Sequence, residues 1–393
     1  MKQIKLFIIT TLSLFMIYII SLTVVFCFPN RWIQNNVDSS VEILTSETDY
    51  PSYVFHSDAV SFDNFTDKLI LQKAIKTQSN PLIYAMDIDN YARYWHGYHT
   101  LTRILLVFFN ILQIRYLLMM VFYLLFGITC ILLYKRFKLA GTIPFILSMI
   151  SIYPNTVNTS LQFSSVFLLT LIFTDIILIF YEKINLKKLL LFYIFGSITN
   201  FFDLLTTPLL TLGIPLLFVL LLSETQLKNK LFTILKLSIS WAAGYGFTWI
   251  GKWLFGSLIL QKNVFTEAIE SIFIRTNGTE TYSLDRKFTY LANWQNIIPP
   301  FSLKYVLVLF LLLGIALCVL CKKYAATRKV MLQILPLLIV GVYPFIWYYV
   351  LGNHSQVHHF FTYRTQLIFS LAVLLFFFYP IIAWLENYFE TKK

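Results

Sequence analysis

Ten stretches of this chain are too apolar to lie comfortably in water. They run roughly over 6–28, 115–134, 138–153, 162–181, 187–203, 207–222, 232–257, 304–321, 329–351 and 365–385. A helix that crosses a bilayer needs about 20 mainly apolar residues. The runs therefore predict an all-α polytopic membrane protein with about ten transmembrane helices. It reads as a single transmembrane domain over 1–393 with two large outer loops, 29–114 and 258–303, that carry interfacial helices. Composition agrees: 58% of the 393 residues are hydrophobic and 13% are charged, against about 45–50% and 25% in a soluble domain. A soluble enzyme built on one core is excluded.

The first run follows Met1–Lys5 and exits through Phe26-Cys27-Phe28-Pro29. It is longer than the apolar core of a cleaved signal and lacks a small-residue cleavage site, so an uncleaved first helix is expected. Lysine and arginine then set the orientation. Alternate short loops carry Lys2/Lys5, Lys135/Arg136/Lys138, Lys183/Lys187/Lys188, Lys228/Lys230/Lys236, Lys322/Lys323/Arg328/Lys329 and Lys392/Lys393, which is 17 of the 31 basic residues. By the positive-inside rule that side is cytoplasmic, and so are both termini. The net charge of +12 is thus a topology signal and implies no nucleic-acid partner.

Short cytoplasmic loops leave no room for a nucleotide-binding domain, and neither a P-loop nor a dinucleotide glycine fingerprint is present. All six histidines (His56, His96, His99, His354, His358, His359) fall on the outer side or at its edge. Chemistry is therefore expected on the outer face. Cys27, Cys130, Cys318 and Cys321 lie in or beside apolar runs and read as buried small side chains. No metal site is expected, because the His354/His358 pair has no acidic third ligand nearby.

Several polar constellations interrupt the apolar runs. Asp63-Asn64-Phe65-Thr66-Asp67 precedes an amphipathic stretch, 68–76, expected to lie at the membrane surface with Lys68, Lys73 and Lys76 on its polar face. Asp63 or Asp67 reads equally as a helix cap. Arg93-Tyr94-Trp95-His96-Gly97-Tyr98 offers aromatics for sugar stacking or for an interfacial belt, and 103–114 is expected to be a second interfacial helix. Asp203 in Phe201-Phe202-Asp203-Leu204-Leu205-Thr206-Thr207-Pro208 suggests a wetted cavity or a turn cap. Tyr245, Trp249, Lys252 and Trp253 share one helix face. Asn353-His354-Ser355-Gln356-Val357-His358-His359-Phe360-Phe361-Thr362-Tyr363-Arg364 groups histidine and arginine donors suited to a phosphate. Asp175 reads as a helix–helix hydrogen bond.

A first helix, a long acidic outer loop, many spans, a second outer loop and no cytoplasmic domain together resemble the GT-C superfamily of membrane glycosyltransferases. The strings DNFTD, RYWHGY, FFDLLTTP and NHSQVHHFFTYR also look like those of little-characterised Gram-positive bacterial membrane proteins. The resemblance implies transfer of a sugar from a polyprenyl-phosphate-linked donor to a cell-envelope glycan or lipid acceptor on the extracytoplasmic face of the cell membrane. It further implies an acidic general base, here Asp63 or Asp67. Arg364, Arg103 and Lys252, with His354 and His358, would bind the donor phosphate. Tyr94, Trp95, His96, Asp203 and Tyr363 would contact sugar or acceptor. The partners on this reading are the lipid bilayer, the lipid-linked donor and the acceptor, with no divalent metal indicated. A polysaccharide polymerase or ligase, a transporter of lipid-linked saccharides and a membrane O-acyltransferase are the rival expectations.

Overall fold

A computed structural model describes residues 2–52, 58–184, 187–281 and 283–391. His56, Lys392 and Lys393 lie outside the described residues. The chain is all-α and multi-pass: no strand forms among the described residues, only the isolated bridges Ser52–Ser61 and Gly278–Ser283. Among the described residues six helical stretches are long and apolar enough to cross a membrane: Ile4–Cys27, Ile111–Ile150, Leu161–Phe180, Ser302–Lys323, Ala325–Val350 and His359–Glu390.

Helix α1 (Lys2–Cys27) leads into four shorter helices of the first long connection, α2 (Gln34–Ser46), α3 (Asn64–Lys73), α4 (Pro81–Met86) and α5 (His99–Leu106). The expected helix over 103–114 is instead broken. Asn110 caps a new helix by accepting from the Gln113 amide, while the Gln113 side chain accepts from the Asn110 amide. That reciprocal box fixes the start of α6 (Ile111–Ile150). A straight helix of that length would run about 60 Å. Yet the rings of Phe126 and Phe145 lie 5.6 Å apart, so the chain must double back between them. Lys138, with φ 50° and ψ −146°, is the reversal. The two apolar runs expected at 115–134 and 138–153 are thus the legs of one hairpin, and the basic cluster Lys135/Arg136/Lys138 marks its tip. Glu386 accepts from the Leu139 amide at 2.9 Å, holding the second leg against the C-terminal helix.

After α7 (Pro154–Asn158) come α8 (Leu161–Phe180), α9 (Lys188–Phe202), α10 (Leu210–Leu222) and α11 (Leu227–Leu260). Helix α10 is apolar all round and nearly every residue from Leu210 to Leu220 is buried, so it is the central core helix. Helices α9 and α11 pack with backbones in contact. A Cβ at Gly196 would sit 2.0 Å from the Trp241 carbonyl oxygen, and one at Gly244 would sit 1.9 Å from that of Tyr193. Between α6 and α8, the Thr129 hydroxyl donates to Asp175 at 2.7 Å, the interhelical bond expected for that acid.

The second long connection folds as α12 (Val264–Asn277) and α13 (Arg286–Ile297). Then come α14 (Pro300–Lys323), α15 (Ala325–Ile334), α16 (Leu337–Gly341), α17 (Tyr343–Val350), α18 (Gly352–Val357), α19 (His359–Thr362) and α20 (Leu367–Glu390). The cysteines depart from expectation. Cys27 and Cys318 are exposed and Cys130 and Cys321 only partly covered, because apolar surface facing lipid needs no burial. The two long connections gather at one end of the helices, and the short basic connections at the other.

Candidate functional site

At the loop-rich end, two lobes of about 290 Å³ each meet at Arg275, His354 and His358. The first lobe takes Thr66, Leu69, Ile70 and Lys73 from α3, then Tyr91, His96, Tyr98, Gln162 and Leu204. The second takes Arg93, Ser271, Ile274, Thr279, Asn353 and Val357. Each of the four strings singled out in the sequence supplies a lining residue: Thr66, His96 with Tyr98, Leu204, and His354 with His358. The chain brings them together from positions almost 300 residues apart.

Local chemistry explains how. Thr66, Leu69, Ile70 and Lys73 stand at i, i+3, i+4 and i+7, one face of α3. The Lys73 ammonium lies 4.7 Å from the centre of the Tyr91 ring. It therefore points inward, contrary to the surface-facing placement expected from the amphipathic pattern. Burial holds Lys73 below its ordinary pKa. The segment 91–98 is pinned by the Gly97 amide, which donates to the Phe201 carbonyl at 2.8 Å. A Cβ at Gly97 would be 2.4 Å from that oxygen, so this approach requires glycine. Asn263 caps α12 by accepting from the Phe265 amide at 3.0 Å, and Gly278 (φ 82°) ends it, placing Arg275 in the last turn.

The histidines have assignable tautomers. His96 Nε2 faces the Tyr91 carbonyl at 2.9 Å and must donate, so Nδ1 accepts from the Tyr98 hydroxyl at 2.7 Å. His354 Nε2 likewise donates to the Leu205 carbonyl at 2.8 Å, leaving Nδ1 to accept from Arg275 at 3.5 Å. Burial pushes His96 down to about 3 and holds His354 well below the ordinary imidazole range. His358 is different: its ring packs on Phe361 and His354, and no hydrogen bond to its nitrogens occurs among the described residues. Burial, and then Arg275, lower it to about 4. All three imidazoles are neutral near pH 7.

The cavity is cationic. Arg93 is paired with Glu267. Among the described residues neither Lys73 nor Arg275 forms an ion pair within 4 Å, Asp89 and Asp87 acting on Lys73 only from farther off, and no carboxylate lines either lobe. Arg275 instead lies 5.6 Å over the Tyr94 ring. Among the described residues no cluster of three or more His, Cys, Asp or Glu side chains is placed to hold a metal ion.

The other candidate residues stand outside the cavity. Asp63 caps α3, accepting from the Thr66 amide and hydroxyl at 2.9 Å each. Burial raises its carboxyl above the usual range. Asp67 caps a different helix: its carboxylate accepts from Ser160 Oγ and from the amides of Leu161 and Gln162, the first turn of α8, at 3.0–3.1 Å. Burial drives it up to about 7 despite Arg115 nearby. Arg103 donates to the carbonyls of Val25, Phe28 and Ala74. Arg364 donates to those of Ala59, Ile152 and Phe360. Lys252 donates to the Met86 carbonyl at 2.7 Å, near the face of buried Trp95. The Tyr363 hydroxyl is spent on the Ala59 carbonyl at 2.8 Å. Asp203 holds the α9–α10 turn by accepting from the Thr206 amide and hydroxyl, with the Tyr245 hydroxyl at 3.5 Å.

Lys73, Gln162 and Arg275 are among the lining residues to which the sequence alone gave no binding role. Lys73 was findable, since it shares a helix face with Thr66. Nothing local distinguishes Arg275 from other basic residues in a surface helix. No protein-family model matches the chain, and neither a curated protein nor a solved structure matches it.

Proposed function

We propose that this protein is a membrane glycosyltransferase whose two-lobed cavity holds the phosphate of a lipid-linked sugar. The observation that carries the reading is the convergence of Arg275 and Lys73, neither of them in a close ion pair among the described residues, beside three neutral imidazoles. A partly buried cation without an anion is costly, so the cavity favours an anionic ligand. Arginine suits phosphate through its planar fork of donors. The long, loop-rich side of a chain whose short loops are basic faces away from the cytoplasm, which puts the cavity on the extracytoplasmic face. Ten bilayer crossings with both termini inside accommodate this.

In the transfer, the acceptor hydroxyl oxygen bonds to the anomeric carbon. The bond from that carbon to the phosphate oxygen breaks, and its electron pair stays on the phosphate. Arg275 and Lys73 stabilise the charge that grows there. The hydroxyl proton passes to a base. Asp63, joined to the cavity through Thr66, and the open imidazole of His358 are the two groups placed for it. Both acids are caps, but Asp63 meets only Thr66, which lines the cavity, whereas Asp67 is spent on three donors of the α8 start, which favours Asp63 of the two.

The test is sugar composition of envelope glycans, by mass spectrometry, in a deletion strain. The rescue set is the parent, Arg275→Ala, Asp63→Asn, Asp67→Asn and Arg364→Ala, each checked for membrane expression. Loss of one sugar, restored by the parent and not by well-expressed Arg275→Ala, supports the reading. Shortened polymers of unchanged composition would hand it to a polymerase or ligase. Unchanged glycans in the deletion strain would sink it.

A further inference from the structure

A further hollow shares no lining residue with this cavity. It is a trough of about 690 Å³ between α1, α9 and α11. Along α11 its floor is Lys236, Ser240, Ala243, Phe247, Ile250 and Leu254, a single stripe at helical spacing that rises about 27 Å. The trough exists because α1 packs over only half its length. Tyr18, Leu22 and Phe26 are buried against Trp95, Tyr84 and Phe201, whereas Ile4, Ile8 and Leu12 are more than half exposed. Its few polar groups are already spent. The Thr11 hydroxyl pairs with that of Tyr193, and the Ser240 hydroxyl donates to the Leu189 carbonyl.

Charge appears at one end only. Lys236 lines the trough on α11 and Lys5 follows lining Ile4 on α1, so two of the three walls carry a lysine at the short-loop end. Among the described residues neither Lys5 nor Lys236 has a carboxylate partner. Apolar walls capped by cations describe an amphiphile with an anionic head. We propose that the trough binds one anionic phospholipid from the leaflet that the basic loops face. One acyl chain would lie along α11 and the phosphate would sit between Lys5 and Lys236. The lipid completes the packing of the first half of α1, whose second half supports Trp95 and the segment that carries His96.

The experiment is native mass spectrometry of the detergent-purified full chain, followed by delipidation. Dioleoyl phosphatidylglycerol and dioleoyl phosphatidylcholine are then titrated in separately, read by mass and by thermal shift. The expected result is one retained phospholipid and a preference of roughly tenfold for phosphatidylglycerol, on the scale of two surface lysines acting on an anionic head. Lys5→Glu with Lys236→Glu should abolish the preference, and both positions are exposed, so folding is spared. Ala243→Trp should fill the trough and lose the retained lipid. Equal retention of both lipids by the parent would overturn the proposal. So would unchanged phosphatidylglycerol preference in the charge-reversed protein, even if Ala243→Trp fails to fold.

Discussion

The cavity around Arg275 and the packed surroundings of Arg103 and of Arg364, called the wall below, both hold cations away from water, yet they are built on opposite terms. In the wall, each guanidinium is saturated by main-chain carbonyls: Val25, Phe28 and Ala74 for Arg103, and Ala59, Ile152 and Phe360 for Arg364. Those arginines tie separate segments together and have few donors to offer a ligand. In the cavity, Arg275 hydrogen-bonds only the neutral imidazole of His354 and the Tyr91 hydroxyl among the described residues, and Lys73 lies on the face of Tyr91 with Asp89 and Asp87 farther off. The lesson is that burial of a cation does not mark a site. Unspent donors do.

Removing a wall arginine should give the largest effect. Arg103→Ala deprives three carbonyls of their partner, and each unsatisfied buried polar group costs about 1–3 kcal/mol. Arg103→Ala should therefore cost several kcal/mol, seen as loss of expression or a large fall in the apparent unfolding temperature in detergent. Arg103→Lys should recover little, because an ammonium cannot reproduce a planar fork spread over three carbonyls. Preserved stability in both variants would break the distinction between wall and cavity.

Arg275→Ala should show the reverse pattern. Stability should change by less than about 1 kcal/mol, since few protein contacts are lost. Binding of a short-chain prenyl phosphate should weaken roughly 10- to 100-fold, the scale of charge-assisted hydrogen bonds. Isothermal titration of the purified protein measures this. The comparison sharpens if Lys73→Ala gives a smaller loss of the same kind, and fails if Arg364→Ala, where it folds, loses binding as strongly.

The same contrast explains what could be read from the chain. The membrane class and the apolar runs follow from local pattern, because hydropathy and lysine placement act over short windows. The four polar strings that meet at the cavity were visible for the same reason. Within each string the roles were not. Arg364 and His358 stand six residues apart, and only tertiary contacts make one a clamp and leave the other open. Asp67 sits four residues from the cap Asp63, yet it caps α8, some 90 residues further on. Arg275 gave no local signal, because its meaning comes from Tyr94 and His354, which other parts of the chain deliver.

The finest contrast concerns the histidines. His96 and His354 have both nitrogens committed, whereas His358 has neither. Only His358 is therefore free to meet a bound anion. In the empty protein burial holds it at about 4, below the ordinary 6.5. A depressed imidazole makes the unfolded chain the better proton binder between those values. Its contribution to stability is complete above about pH 6.5 and drains away as pH falls toward 4. A phosphate beside Arg275 raises His358 again, since an adjacent negative charge favours the protonated ring. Binding of a prenyl-phosphate-linked sugar, a phosphodiester whose charge is constant across this range, then takes up a proton, and its affinity should rise roughly two- to tenfold from pH 7 to pH 5. Calorimetry in buffers of different ionisation enthalpy reads that uptake directly. In His358→Asn the uptake should vanish and the affinity should flatten across the same range. A pH slope that survives in His358→Asn would place the titrating group elsewhere and remove the difference drawn here between the three imidazoles.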